Sequence, residues 1–120
     1  MKRRLRVLIA DDEQDIRQGF NRLLGKLGCD VIGEAADGKR LVELCLSEKP
    51  DLVITDIRMP EMTGIEAATE IVKTQSVPFI FVSSHERPRD DHSGLVADFL
   101  MKPVCMPDLE AAINKACPPL

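Results

Sequence analysis

Five short apolar runs, separated by segments of helical period and mostly ending at a polar or charged residue, constrain the fold of this 120-residue chain more than any other feature. Leu5 to Ala10 (LRVLIA) ends at Asp11-Asp12, and Leu52 to Thr55 (LVIT) ends at Asp56. Asp30 to Ala35 carries Val31 and Ile32, Phe79 to Ser83 reads FIFVS, and Phe99 to Met101 runs into Lys102. Runs of this length suit buried strands. Between them, apolar residues recur every three or four positions. Ile16, Phe20, Leu23, Leu24 and Leu27 mark 15–27; Leu41, Leu44 and Cys45 mark 37–47; Ile65, Ala68, Ile71 and Val72 mark 64–73. That spacing predicts helices. Gly28 is placed to stop the first, Asp37 to cap the second, and Pro107 to open a last one over 107–116.

Strands alternating with helices predict right-handed βαβ units, hence an α/β, doubly wound, five-stranded parallel sheet with helices on both faces. At 44% apolar and 30% charged, the chain supplies one domain's core. No apolar run reaches the length of a membrane span, and the run after Met1-Lys2-Arg3-Arg4 is too short for a signal peptide. A net charge of −4, with 3% aromatics and neither Trp nor Tyr, argues against direct nucleic-acid binding by this domain. Cys29, Cys45, Cys105 and Cys117 lack CxxC spacing and have apolar neighbours, so reduced, mostly buried thiols in a cytoplasmic protein are expected. One stretch breaks the pattern. Ser83 to Phe99 (SSHERPRDDHSGLVADF) is charged in its middle and contains Pro88, so the fourth helix is expected to be short or irregular.

In parallel sheets, ligands bind beyond the carboxyl ends of the strands. Asp11, Asp12, Asp56, Ser83 and Lys102 all stand there, and their side chains can converge on one pocket. Three carboxylates in one pocket repel, each pair by about 4 kcal/mol at 4 Å and an effective dielectric of 20. A shared proton or a cation must relieve this. An all-oxygen acidic site favours Mg²⁺. With Lys102 as a second positive charge and Ser83 as a hydroxyl donor, the set suits a phosphoryl group under attack by a carboxylate. Gly33-Glu34-Ala35-Ala36-Asp37-Gly38-Lys39-Arg40 approaches a phosphate loop, but Arg40 stands where Ser or Thr belongs, and Glu34 and Asp37 would face phosphate. A turn with Asp37 as N-cap is the better reading.

Asp11-Asp12, then Asp56-Ile57-Arg58-Met59-Pro60 with Gly64, then Ser83, then Lys102-Pro103, in this order and spacing, resemble the receiver domain of bacterial two-component response regulators. The resemblance covers residues 5 to 116. It implies a flavodoxin-like strand order 2-1-3-4-5 and Asp56 as phosphoacceptor. Mg²⁺ would be held directly by Asp12, Asp56 and the backbone carbonyl of Arg58, and through water by Asp11. Ser83 and Lys102 would hold phosphoryl oxygens, and Ser83 and Phe99 would form the switch. Arg58 and His85 would flank the acyl phosphate and tune its lifetime. A cis Lys102–Pro103 bond is implied as well.

The resemblance further implies a cytoplasmic signalling switch that takes its phosphoryl group from a sensor histidine kinase. It would be an autocatalytic phosphoacceptor with slow self-dephosphorylation rather than a turnover enzyme. An output domain or downstream protein would read it, and homodimerisation on phosphorylation stays open. The stretch VIGEAADGKRLVEL through PDLVITDIRMPEMTGIEA most resembles receivers with helix-turn-helix, DNA-binding outputs, which points to control of transcription. The receiver is expected over 1–117, with 118–120 a tail or the start of a linker. Ser83 and Lys102 stand closer together than is usual in the family. The alternative is a phosphorylation-independent interaction module on the same fold. A phosphatase with an aspartate nucleophile is disfavoured, because Arg58 stands where a second acid would be needed.

Overall fold

Each apolar run becomes a strand, and each helical period a helix. In chain order the elements are β1 (Arg6–Ala10), α1 (Gln14–Lys26), β2 (Asp30–Ala35), α2 (Gly38–Glu48), β3 (Leu52–Asp56), α3 (Gly64–Ile71), β4 (Phe79–Ser83), β5 (Ala97–Met101) and α4 (Met106–Ala116). The computed structural model describes residues 4–84 and 97–118. Residues 85–96, where the sequence places a weak helix and where His85 stands, lie outside the described residues. The five strands are parallel, in the order β2-β1-β3-β4-β5, as expected.

The period-2 alternation of the strands splits the core in two. Leu8, Val53, Phe79 and Phe81 face α2 and α3, packing with Leu41, Leu44, Ala67, Ala68 and Ile71. Val7, Ile9, Leu52, Ile54, Ile80 and Val82 face α1 and α4, packing with Phe20, Leu24, Leu109, Ala112 and Ile113. The central strands β1, β3 and β4 are therefore apolar on both faces, as a covered parallel sheet requires.

The helix ends follow local chemistry. Gly28, at φ 81°, takes the left-handed position after α1, while Gly28 N–H donates to Gly25 O and Cys29 N–H to Leu24 O. This is the paired closure that glycine permits at a helix end. Asp37 caps α2 by accepting from Arg40 N–H at 2.8 Å. Thr63 and Glu66 form a reciprocal capping box at the start of α3.

Some boundaries differ from expectation. The last helical turn predicted over 72–73 is replaced by tighter turns, with Lys73 N–H bonded to Glu70 O and Thr74 N–H to Ile71 O. Strand β5 begins at Ala97 rather than Phe99, because polar Asp98 still takes its place in the ladder opposite Ile80. The cysteines also depart in part. All four are free, but only Cys29 and Cys45 are buried; Cys117 is half-buried and Cys105, the N-cap of α4, is exposed. Burial pushes the Cys45 thiol up to about 12.

Candidate functional site

The strand register brings the predicted residues together. Asp11 follows β1 directly, and its N–H donates to Ala35 O on β2. Asp56 ends β3 opposite Val82, and Ile57 N–H donates to Val82 O. Ser83 ends β4, and its carbonyl accepts from Lys102 N–H at 2.8 Å. Lys102 thereby emerges beside the acids.

One carboxylate oxygen from each of Asp11, Asp12 and Asp56 lies within 4.8 Å of the other two. Lys102 Nζ donates to Asp11 Oδ2 at 2.9 Å and reaches Asp56 Oδ2 at 3.4 Å. Asp11, Asp56 and Ser83 are buried, whereas Asp12 is exposed. Three carboxylates facing one ammonium leave the pocket negative. Burial, and then the charge of Asp11, push the Asp56 carboxyl above its ordinary value; the charge and hydrogen bond of Lys102 and a backbone hydrogen bond from Arg58 oppose them without prevailing. Burial alone would lower the Lys102 ammonium, but the hydrogen bond and charge of Asp11, joined by Asp56, raise it above 10.5. The donor set fits a hard divalent cation. It offers oxygen ligands, uncompensated negative charge and, through exposed Asp12, access for the waters that Mg²⁺ retains.

Glycine brings the β3–α3 loop against the phosphoacceptor candidate. Gly64 N–H donates to Ile57 O at 2.8 Å, and a Cβ on Gly64 would collide with the backbone carbonyl oxygen of Asp56. Arg58 meets Asp56 through its backbone, not its guanidinium. Phe99 packs half-buried beside Phe81, with ring centroids 5.4 Å apart. The Lys102–Pro103 bond is cis.

A family model for the response regulator receiver domain matches residues 7–114. The chain belongs to that family. Its receiver fold is shared with the receiver domain of PhyR from Erythrobacter litoralis, at 30% identity and a TM-score of 0.84, covering 94% of this chain and 89% of that one. The transcriptional regulatory protein PdtaR of Mycobacterium tuberculosis is 42% identical over 117 residues, covering 92% of this chain and 56% of PdtaR. The chemotaxis protein CheY of Thermotoga maritima is 37% identical over 114 residues, covering 92% of this chain and 95% of CheY. The chain spans about half the length of the first curated relatives it matches, PdtaR among them. Receiver domains are phosphorylation-based signalling switches, not turnover enzymes, and they bind Mg²⁺ at an acidic pocket. Among the described residues, no helix is long and apolar enough to cross a membrane.

Two residues with a hold on the site escape a reading of the sequence. Arg17, on α1, donates from Nη1 to Asp11 O at 2.6 Å and from Nε to Glu34 Oε1 at 3.1 Å. In the sequence both look like ordinary charges on solvated faces. The only available signal is their opposite charge, which does not say that they meet.

Proposed function

We propose that this receiver accepts a phosphoryl group on Asp56 from a sensor histidine kinase and changes its partner-binding face in response. The convergence of three carboxylates and the Lys102 ammonium at the strand ends carries the reading. An oxygen of Asp56 attacks phosphorus. A P–O bond forms as the bond from phosphorus to the donor imidazole nitrogen breaks; its electron pair stays on that nitrogen, and the ring, protonated on its other nitrogen, leaves as neutral histidine. Lys102, already drawn between Asp11 and Asp56, neutralises phosphoryl oxygens as charge moves onto the group. Ser83 donates to the third side of the group from the end of β4. Asp12, Asp56 and the Arg58 carbonyl would hold Mg²⁺, with Asp11 supporting them. When bound, the ion neutralises the acids and the incoming phosphoryl oxygens.

Phosphorylation adds about −1.5 to −2 charge where one carboxylate stood. Ser83 follows the new acceptor, and Phe99, half-buried against Phe81, turns into the space Ser83 leaves. The face around β5 is repacked, which biases a two-state balance of a few kcal/mol. Slow attack of water on phosphorus resets the switch, with Arg58 beside its path; His85, also expected to flank it, lies outside the described residues. We place the receiver over 1–117 and read 118–120 as a tail or linker. The resemblance to receivers with DNA-binding outputs, and the naming of PdtaR as a transcriptional regulatory protein, support an output in gene expression in the cytoplasm.

Intact mass after incubation with acetyl phosphate and Mg²⁺ tests the reading. A gain of one phosphoryl group, absent without Mg²⁺ and absent in Asp56→Asn, is expected. No gain from acetyl phosphate or from a phosphorylated kinase would favour the phosphorylation-independent module instead.

A further inference from the structure

The Asp12 carboxylate stands apart from its neighbours in how it is held. Asp11 is fixed on every side: its N–H donates to Ala35 O, its Oδ1 accepts from Glu13 N–H at 2.9 Å, and its Oδ2 accepts from Lys102. Asp56 is fixed by burial, Lys102 and Arg58. Asp12 is exposed, and among the described residues no hydrogen bond reaches its side chain. The place from which its carboxylate reaches is therefore set by its own backbone. The peptide that delivers it is the one between Asp11 and Asp12, and the carbonyl of that peptide is the group that Arg17 grips at 2.6 Å.

Arg17 is itself held. Its side chain is only 17% exposed, and its Nε donates to Glu34 Oε1. The second oxygen of Glu34 accepts from Asn21 Nδ2 at 2.7 Å, one turn further along α1. The guanidinium fork thus ties three elements together: the loop after β1, the outer strand β2 and the first turns of α1. Arginine suits this position because one planar group donates to two acceptors in fixed directions. A lysine carries its donors on a single atom at the end of a flexible stem and lacks that fixed fork.

We infer that Arg17, braced by Glu34, is a positioning residue for the divalent cation. It orients the Asp11–Asp12 peptide so that the Asp12 carboxylate is aimed at the ion before the ion arrives. The inference rests on the proposed metal role of the acidic pocket. Groups that orient ligands without touching a metal commonly govern about 10- to 100-fold of its affinity.

Charge and positioning predict opposite signs, which makes the inference easy to overturn. Removing a positive charge beside an acidic pocket should tighten cation binding by electrostatics alone. Loss of positioning should weaken it. The experiment is a Mg²⁺ titration of the full chain, followed by amide NMR shifts of residues 10–13 and 56–58, on wild type, Arg17→Gln, Glu34→Gln, Asp12→Asn and the Arg17→Gln/Asp12→Asn double variant. Each variant's amide spectrum first establishes that it is folded.

We expect Arg17→Gln to bind Mg²⁺ about 10-fold more weakly and Glu34→Gln to weaken binding less. The double variant should be no weaker than Asp12→Asn, since Arg17 acts through Asp12. Unchanged or tighter binding by Arg17→Gln overturns the inference, and so does a double variant whose losses simply add. Should Arg17→Gln fail to fold, Glu34→Gln measured alone and on the Asp12→Asn background carries the decision: wild-type affinity in the single variant, or a loss that persists in full on that background, overturns it. If wild type binds no Mg²⁺ at millimolar concentration, the metal reading falls and this inference with it. If wild type binds while Arg17→Gln binds equally well, only the inference falls.

Discussion

The middle of the sheet and its carboxyl rim are built on opposite terms. In the middle, Val7, Ile9, Val53, Ile54, Phe79, Ile80 and Phe81 are buried on both faces with no polar group among them. At the rim stand Asp11, Thr55, Asp56 and Ser83, which are all the buried polar or charged residues among the described residues. Thr55 is satisfied locally, its hydroxyl donating to Asp56 O at 2.9 Å. The acids are not relieved in the same way, because Asp11 and Asp56 share one lysine and the carboxylate of Asp12 stands close by without a cationic partner of its own among the described residues. The interior supplies stability, and the rim gives some of it up to hold charge where chemistry can use it. Functional sites commonly carry such a local cost.

The largest expected effect sharpens the interior half of this contrast. Phe79 is fully buried and stacked on Phe81 at 5.8 Å. Phe79→Ala should cost about 3–5 kcal/mol of unfolding free energy, read as a lower urea midpoint at unchanged slope. That is a large part of a typical domain's total. A loss under about 1 kcal/mol would mean that the interior collapses around the cavity and is less rigid than its packing suggests.

The rim should respond with the opposite sign. Asp56→Asn removes a charge that burial and Asp11 disfavour, and keeps a side chain of the same size. Without divalent cations we expect a gain of about 1 kcal/mol, or roughly 4 °C in Tm. Mg²⁺ should then stabilise wild type while leaving Asp56→Asn nearly unmoved. A variant less stable than wild type would show that Lys102 outweighs the repulsion, and the comparison between rim and interior would break.

The same contrast explains what could be read in advance. Apolar runs and helical periods are properties of the interior, and burial on two faces writes them directly into the residue order. The five rim residues follow once each run has an end, because parallel strands deliver their ends to one side, whereas the strand order comes only with the resemblance to receiver domains. What escaped reading is what depends on where a side chain turns after its element ends. Cys105 sits beside Val104, yet Val104 packs inward while Cys105 turns outward as the N-cap of α4. Arg17 and Glu34 are charges on half-exposed faces, and only the packing of α1 beside β2 makes them partners. Asp98 interrupted an apolar run without interrupting the strand. The pair Thr63 and Glu66 also stands outside the predicted helix-end signals, although its spacing is that of a capping box.

The smallest effect is the most specific to the rim. Asp56 binds its proton more tightly in the folded protein than at its ordinary value of 3.8. Just above that value the unfolded chain has released this proton while the folded chain still holds it. Stability contributed by the group is therefore fully present at low pH and is lost as pH rises through the folded value. The paired lysine does not blur this window, since its own raised value lies above 10.5 and its contribution is lost only in alkaline solution. Other carboxylates titrate in the same range, so total stability against pH cannot isolate Asp56. The difference between wild type and Asp56→Asn can. Measured by thermal unfolding without divalent cations from about pH 3 to pH 8, the advantage of the Asn variant should be absent at the acid end, grow as pH rises through the folded value, and then level off. Repeated with saturating Mg²⁺, the difference should shrink or reverse at neutral pH, because an ion that favours ionised Asp56 removes the cause of its raised value. A difference already at its full size at pH 3 and flat above would assign the cost at this position to packing rather than to charge.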